Sequence, residues 1–200
     1  DEIVTGFGRS GCMFGSRLWG VKPDIMCLAK GISSGYVPLG ATMFNDRIFQ
    51  AFEANQDFAG AIFHGYTYSG HPVACAAALA NLKIVQEENL PANAALMGDY
   101  LMAQLQPFVE QFAAVGEVRG KGLMIALDLV EDKTGRTPID PGNGYANRVA
   151  EIAREHGAIV RPVGTKIILS PPLVLEPHHA DVMVSALKAG EMDLIYLPYR

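Results

Sequence analysis

The chain has 200 residues, half of them hydrophobic, and a formal net charge of −5 at pH 7. This composition supplies enough apolar side chains for a sizeable core, in one large domain or two small ones. The acidic balance and the lack of a basic cluster argue against a nucleic-acid-binding protein, and no apolar run reaches the ~18 residues that a membrane-spanning helix needs.

The first part of the chain combines short apolar runs with glycine-rich segments. Residues 1–4 are predicted to be the end of a strand, followed by a glycine-rich turn that runs to Gly11. Two short apolar runs, residues 25–28 and 41–44, predict buried strands of a parallel or mixed sheet. The segment between these two strands is predicted to be a loop.

Two helices are predicted next. Pro72 suits the first turn of a helix that extends to about residue 88. This helix is apolar nearly all round, so we expect it to be buried between layers. The second helix, over residues 92–113, carries apolar residues at helical spacing, and Pro107 is expected to kink it.

A domain boundary is predicted near Val115-Gly116, and a second α/β segment follows it. Apolar residues alternate from Leu123 to Leu129, which is typical of a strand. The later elements are predicted from the same periodicities and from helix-ending glycine. They are a polar loop over 131–144, a helix over 145–156, strands over 158–161 and 166–169, and a closing helix over 180–197.

Lys30 is the first candidate functional residue, because it follows the predicted buried strand 25–28 and precedes Gly31. Lysine is rarely buried without a partner. A lysine amine held in apolar surroundings is activated as a nucleophile and can attack a carbonyl to form a Schiff base. The alternative is an ordinary lysine whose stem packs at a strand end while its amine reaches solvent.

Three ordered blocks support the first interpretation. They read Asp-Glu-Ile-Val-Thr-Gly-Phe-Gly-Arg-Ser-Gly at residues 1–11, Leu-Ala-Lys-Gly with Pro-Leu-Gly-Ala at residues 28–41, and His-Gly-Tyr-Thr-Tyr-Ser-Gly-His-Pro at residues 64–72. In this order they resemble the class III (omega) aminotransferases, which use pyridoxal 5′-phosphate (PLP). The resemblance continues through residues 119–124 and 161 to residues 170–173, and so covers nearly the whole chain.

The resemblance implies an α/β chain of PLP-transferase fold type I. Residues 1–114 would be the C-terminal part of the large mixed-sheet domain, and residues 115–200 a small α+β C-terminal domain. A family member would be about twice as long, so we expect this chain to be the C-terminal half of such an enzyme. The main phosphate cup and a ring-stacking aromatic would then lie in the preceding half.

The resemblance also assigns cofactor-binding residues. Lys30 would carry the cofactor and transfer the proton during catalysis. Asp1 would hold the pyridine nitrogen in its charged form, as a fixed carboxylate does. If residues 1–4 are a strand, Ile3 points to the same side as Asp1 and would pack on the ring.

Two further predictions concern phosphate and substrate. Thr67, and with it Tyr66, would reach the phosphate of a neighbouring subunit's cofactor, which implies a homodimer or dimer-based tetramer with composite sites. The alternative is a turn threonine bonded to its own backbone. Arg161 would bind the substrate carboxylate with its two-pronged guanidinium, and the alternative is a solvated arginine at a strand end.

No metal site is expected. Cys12, Cys27 and Cys75 are far apart and lack metal-ligand spacing, so we interpret them as reduced, buried thiols of a cytoplasmic protein. His64 and His71 are interpreted as loop and packing residues. His178 and His179 are interpreted as a solvated pair before the last helix.

The sequence therefore predicts a PLP-dependent transaminase that acts between an omega-amino acid or amine donor and a keto acid such as pyruvate. The blocks look most like the omega-amino acid or amine:pyruvate branch of the family. Two alternatives remain at this point. One is another class III PLP enzyme, such as a decarboxylase or an aminomutase, and the other is a non-catalytic dimerising fragment.

Overall fold

A two-stranded antiparallel sheet organises the first unit of the chain, residues 1–91. The computed structural model of the chain describes residues 1–55 and 60–194. Strand β1 (Ile25–Leu28) pairs with β2 (Ala41–Phe44), with Leu28 opposite Ala41. Both strands lie where the sequence predicts them. The pair is antiparallel because the loop between the strands turns the chain back, and β2 is exposed throughout rather than buried.

The start of the chain is a series of turns, so the strand predicted over residues 1–4 is wrong. The N–H of Ile3 donates to the Asp1 carboxylate at 2.7 Å, and the N–H of Gly6 donates to the Glu2 carbonyl at 2.9 Å. These two bonds curl the backbone and prevent an extended run. One backbone hydrogen bond still connects this segment to β1, because the Glu2 N–H donates to the Cys27 carbonyl at 2.9 Å.

The helices of the first unit are short except for one. They are α1 (Gly15–Leu18), the 3₁₀ turn Lys30–Ile32, α2 (Asp46–Glu53) and α3 (Pro72–Glu87). Helix α3 begins with Pro72, as predicted, and the Nδ1 atom of His71 accepts the Val73 N–H at 3.2 Å. His71 is therefore the N-cap of α3.

Helix α3 is not buried all round, contrary to the prediction. It buries Ala74, Ala78 and Val85, whereas Leu79 is 70% exposed. Within the described residues only one face of this helix is covered. Ala78 packs into a small core with Phe7, Leu28 and Ile32, which joins the glycine-rich turn, β1, the 3₁₀ turn and α3.

The second unit, residues 92–200, contains a five-stranded antiparallel sheet with helices packed on it. The strand order is β3-β4-β7-β6, with β5 paired to β4. Its elements are α4 (Leu90–Leu105, which starts just before the division), α5 (Phe108–Gln111), β3 (Val115–Lys121), β4 (Met124–Asp132), β5 (Thr137–Pro138), the 3₁₀ turn Pro141–Asn143, α6 (Tyr145–Glu155), β6 (Arg161–Val163), β7 (Lys166–Leu169) and α7 (Pro177–Leu194).

The division between the units falls between Pro91 and Ala92, earlier than the predicted boundary near residue 115. The physical reason is packing. Leu101 and Leu105 of α4 and Phe108 of α5 are buried in the same hydrophobic core as the five-stranded sheet. The helices before residue 115 thus contribute to the core of the second unit.

Several details of the second unit differ from the sequence-based expectations. The helix predicted over 92–113 is divided into α4 and α5 at Pro107, because proline cannot donate the backbone bond that would continue a helix. Strand β3 was not predicted, since Gly116 and Gly120 interrupt its apolar alternation. Helix α6 ends near Gly157 (φ 91°), as predicted. The closing helix begins at Pro177, and its predicted residues 195–197 lie outside the described residues.

No helix in the described part of the chain combines the length and the hydropathy needed to cross a membrane.

Gly98 provides a test of the packing in the second unit. A Cβ at Gly98 would overlap the backbone of Gly122, whereas a Cβ at Gly190 would meet the Val149 carbonyl oxygen at 3.1 Å. We expect Gly98→Ala to lower the free energy of unfolding by about 1–3 kcal/mol, although alanine favours helix by ~1 kcal/mol. Gly190→Ala should lower the free energy of unfolding by clearly less than Gly98→Ala does. Urea denaturation of both variants tests this, and equal stability of the two would contradict the described packing.

Candidate active site

Glu2 is a buried carboxylate that fixes the glycine-rich turn. Its side chain is 4% exposed. It accepts the N–H groups of Gly15 at 2.9 Å and Ser16 at 2.6 Å, and also the Thr5 hydroxyl. Burial raises the pKa of Glu2, but the hydrogen bonds from Thr5, Ser16 and Gly15 together outweigh it, so the pKa lies below its ordinary value.

Asp1 directly precedes Glu2, so its position depends on the backbone that Glu2 fixes. The bond from the Glu2 N–H to the Cys27 carbonyl fixes the adjacent backbone beside β1, and the Asp1 carboxylate is exposed. A cavity of about 220 Å³ opens beside Asp1 and Glu2, with Trp19 and Met26 in its lining. Lys30 does not line this cavity. This cavity therefore does not join Asp1 and Lys30.

Lys30 has a left-handed backbone with φ 43° and begins the 3₁₀ turn Lys30–Ile32. Such a conformation is costly for a residue with a side chain, and residues held in it cluster at functional sites. The residue is exposed within this chain, so the described residues do not themselves provide the apolar surroundings expected for its amine, and that expectation stays a prediction. Strand β1 ends two residues earlier, and Lys30 belongs to the turn that follows rather than to the strand.

Gly31 explains why the turn lies so close to the glycine-rich segment. A Cβ on Gly31 would be 3.0 Å from the Phe7 Cβ and 3.4 Å from the Gly6 carbonyl oxygen. A side chain at this position would push Phe7 away, so glycine suits this close approach. Phe7 is itself buried and packs edge-on against Phe14, with ring centroids 5.5 Å apart.

Asn81 of α3 contacts the same loop and was not predicted from the sequence. Its Nδ2 atom donates to the Gly31 carbonyl at 2.8 Å and to the Ile32 carbonyl at 3.1 Å. Its Oδ1 atom accepts the Ser34 hydroxyl at 2.6 Å. The one available signal was a polar residue between Ala80 and Leu82 in a helix that is otherwise mostly apolar.

Tyr66 and Thr67 lie in an exposed loop that leads to α3. Thr67 begins a turn over residues 67–70. Ser69 stabilises this turn, because its N–H donates to the Tyr66 carbonyl at 2.9 Å and its hydroxyl accepts the Tyr66 N–H at 3.0 Å. The His64 ring packs edge-on against Tyr66. The roles of Tyr66 and Thr67 toward phosphate stay predictions.

Arg161 belongs to the second unit, where it starts β6 opposite Ile168 and is exposed. The predicted strand over 158–161 is therefore displaced to 161–163, and Arg161 begins it rather than ends it. Its role toward a substrate carboxylate stays a prediction. His178 and His179 lie exposed in the first turn of α7, where His178 Nδ1 is 3.3 Å from the Glu176 carboxylate.

Comparison with known proteins identifies the family. The model of the aminotransferase class-III family matches residues 1–190, so the chain belongs to that family. A solved amine transaminase from an uncultivated Pseudomonas species, in the PLP-bound (internal aldimine) form, is 64% identical with a TM-score of 0.94. That alignment covers 96% of this chain and 43% of the other chain.

Two further relatives agree with this result. An (S)-enantioselective omega-transaminase from Thermomicrobium roseum is 42% identical, with a TM-score of 0.91 over 98% of this chain and 43% of its own. The uncharacterized aminotransferase y4uB of Sinorhizobium fredii is 44% identical over 92% of this chain and 40% of its own length. The chain thus spans about two fifths of the relatives it matches.

These comparisons confirm the predicted fold class, PLP fold type I, and the family resemblance. They also confirm the predicted cofactor, since class III aminotransferases depend on PLP.

Glu2 gives a pH-dependent prediction. Because its pKa is lowered in the folded state, the carboxylate stabilises the fold at pH values above its ordinary pKa of 4.5, and this contribution is lost as pH falls through the folded-state pKa. Glu2→Gln should lower the free energy of unfolding by about 1–3 kcal/mol at neutral pH. The difference should shrink well below pH 4.5, as measured by chemical denaturation across pH.

The exposed Glu53 at the end of α2 offers a control of the same chemistry. Glu53→Gln should change the stability little at any pH. A loss in Glu2→Gln that is the same at neutral and acidic pH would show that the ionised carboxylate does not anchor the turn.

Proposed function

We propose that the protein containing this chain is a PLP-dependent transaminase that transfers an amino group from an omega-amino acid or amine to a keto acid such as pyruvate. The observation that carries the proposal is the exposed, left-handed Lys30, held on a loop between Phe7 and Asn81. Strained backbone persists only where the surroundings enforce it, and such enforcement is typical of catalytic positions.

The residues of the first unit fit the cofactor chemically. PLP, when bound, supplies a carbonyl carbon for an amine and a pyridine ring that accepts electrons. Lys30 offers an exposed primary amine, and Asp1 offers an exposed carboxylate. A carboxylate beside the pyridine nitrogen would favour its charged form. We therefore assign Lys30 to the covalent link and Asp1 to the ring nitrogen.

In this proposal the Lys30 amine has a second role. When it is not linked to the cofactor, the amine would act as the general acid–base group that takes and returns a proton at the reacting carbon. An exposed side chain on a fixed backbone suits this role, because the amine can move while its Cα stays in place. The proposed assignment of Ile3 to the ring face rests on the family resemblance alone, since residues 3–10 form turns.

We further propose that Thr67, with Tyr66, binds the phosphate of a neighbouring subunit's cofactor in a homodimer or dimer-based tetramer. The exposure of the whole segment 61–71 supports this assignment, because an exposed loop is available to another subunit. A threonine hydroxyl is a suitable donor to a phosphate oxygen. The three cysteines are free, and they are half-buried rather than buried as predicted. Free cysteines agree with a cytoplasmic location.

Substrate choice is the finest part of the proposal. The amine transaminase from Pseudomonas, at 64% identity, supports an amine donor. We assign Arg161 to the carboxylate of the keto acid and of omega-amino acid donors, because an exposed guanidinium can bind a carboxylate through two hydrogen bonds. Product analysis separates transamination from decarboxylation, since only decarboxylation releases carbon dioxide.

Lys30 is the direct test of the proposed function. In the full-length protein, Lys30→Ala should abolish both transamination and the borohydride-fixed cofactor adduct, because no amine remains at that position. Mass spectrometry of a reduced and digested sample locates the adduct. Lys22→Ala is the matched control, since Lys22 is an exposed lysine of the same unit, and it should keep the adduct on Lys30. An adduct on any other lysine would refute the assignment.

Arg161 tests the substrate assignment. Arg161→Ala should raise the KM for pyruvate and for omega-amino acid donors, because a two-pronged charged contact is lost. The loss should correspond to about 2–4 kcal/mol of binding free energy. The single-turnover reaction with a donor that lacks a carboxylate should change much less. Arg154→Ala, at an exposed position of α6, serves as the control. Equal losses for amine and amino-acid donors would assign Arg161 to the fold instead.

A further inference from the structure

The side-chain amide of Asn81 bridges two parts of the first unit that are about fifty positions apart in sequence. Its Nδ2 atom donates to the carbonyls of Gly31 and Ile32, and its Oδ1 atom accepts the Ser34 hydroxyl. Both hydrogens of the amide nitrogen and the amide oxygen are thus engaged by one loop. No other amide side chain among the described residues contacts this loop in the same way.

The loop that Asn81 holds is conformationally costly. Lys30 (φ 43°) and Ser34 (φ 50°) are left-handed residues with side chains, and Gly35 (φ 78°) follows them. Left-handed backbone disfavours residues other than glycine, so surrounding contacts must enforce it. Two short-range bonds contribute, from the Ile32 N–H to the Ala29 carbonyl at 3.1 Å and from the Ser33 N–H to the Lys30 carbonyl at 3.2 Å.

Tertiary contacts supply the rest of the enforcement. On one side Phe7 packs so closely on Gly31 that a Cβ at Gly31 would be 3.0 Å from the Phe7 Cβ. Asn81 fastens the carbonyls of the two residues that follow Lys30. Asn81 therefore fixes the peptide planes that follow Gly31 and Ile32, and the bond from the Ser33 N–H to the Lys30 carbonyl ties the plane that follows Lys30 to the same turn.

We propose that Asn81 is a positioning residue for Lys30. By fixing the carbonyls of Gly31 and Ile32, its amide holds Lys30 in the left-handed conformation that aims the amine at the reacting carbon. The catalytic part of this inference rests on the proposed function. Misplacing a reactive group by about 1 Å can lower the rate ~100-fold, so the effect should appear in kcat more than in KM.

Asn93 of α4 provides a matched control in the same chain. Its Nδ2 atom donates to the Leu173 and Leu175 carbonyls at 2.7 and 3.0 Å. It is therefore another half-buried asparagine that fastens two carbonyls of a distant loop, but in the second unit and away from Lys30 in sequence. A merely structural amide should behave alike at both positions.

The test uses full-length protein carrying Asn81→Asp, Asn81→Ala, Asn93→Asp or Asn93→Ala. Aspartate keeps the size of asparagine but removes the two N–H donors, and alanine removes them without adding charge. Three readouts are compared, and each variant is measured at the same number of degrees below its own melting temperature. They are the kcat and KM values, hydrogen exchange of the Ile32 and Ser33 amides, and the rate at which acetic anhydride modifies Lys30 relative to Lys22 in cofactor-free protein.

We expect the Asn81 variants to lower kcat by about 10–100-fold with KM within about threefold. They should also speed exchange at Ile32 and Ser33 by about tenfold or more, because the loop opens locally, and change the relative modification rate of Lys30. The Asn93 variants should leave all three readouts near wild type. If Asp is too disruptive for the protein to fold, the Ala pair decides the question with the same readouts.

Two outcomes would overturn the inference, and they are distinguishable. If wild-type protein shows a borohydride-fixed adduct on Lys30 but the Asn81 and Asn93 variants match in all readouts, Asn81 has only a structural role. If wild-type protein carries no adduct on Lys30, the proposed function fails, and the catalytic role of Asn81 fails with it.

Discussion

The backbone conformation of Lys30 is the constraint on which the candidate site depends. A left-handed lysine does not hold itself in place, because its intrinsic preference is for other conformations. The neighbouring glycine admits Phe7 on one side, and the Asn81 amide fastens the loop. The glycine-rich turn, the first strand and helix α3 are therefore parts of one arrangement, in which each element restrains the loop that carries the amine.

Glu2, beside Asp1, is a second polar residue that fixes the backbone by hydrogen bonds, as Asn81 does beside Lys30. The Glu2 carboxylate collects backbone N–H groups and a hydroxyl, and its own N–H is bonded to β1. Both proposed cofactor contacts thus sit beside a polar group that is satisfied by hydrogen bonds, while the groups assigned to chemistry remain exposed. Fixed neighbours beside exposed functional groups are the combination that a preorganised site requires.

The two units are stabilised differently. The second unit has an extensive hydrophobic core in which helices α4 to α7 contribute side chains with the five-stranded sheet. The core cluster of the first unit is small and includes Phe7, Leu28, Ile32 and Ala78. Among the described residues, directed polar contacts such as those of Glu2 and Asn81 therefore connect more of the first unit than its small apolar cluster does. A site built on such contacts is sensitive to single side chains in a way that a large apolar core is not.

The sequence by itself determined the family, the cofactor and the positions of most strands and helices. Short apolar runs located β1 and β2, periodicity located β4, β7 and α6, and Pro72 located the start of α3, because these signals are local in the chain. The sequence also singled out Lys30, through the order of the blocks around it.

Only the tertiary structure decided the conformation and surroundings of those residues. The division at Pro91 and the bridge from Asn81 depend on contacts between distant segments, and the turn at Ile3 depends on which carboxylate and carbonyl the local N–H groups reach. Local sequence patterns do not predict such contacts, because the same asparagine or glycine is compatible with many partners. The chain reaches one arrangement when packing and hydrogen bonding satisfy all of these groups together.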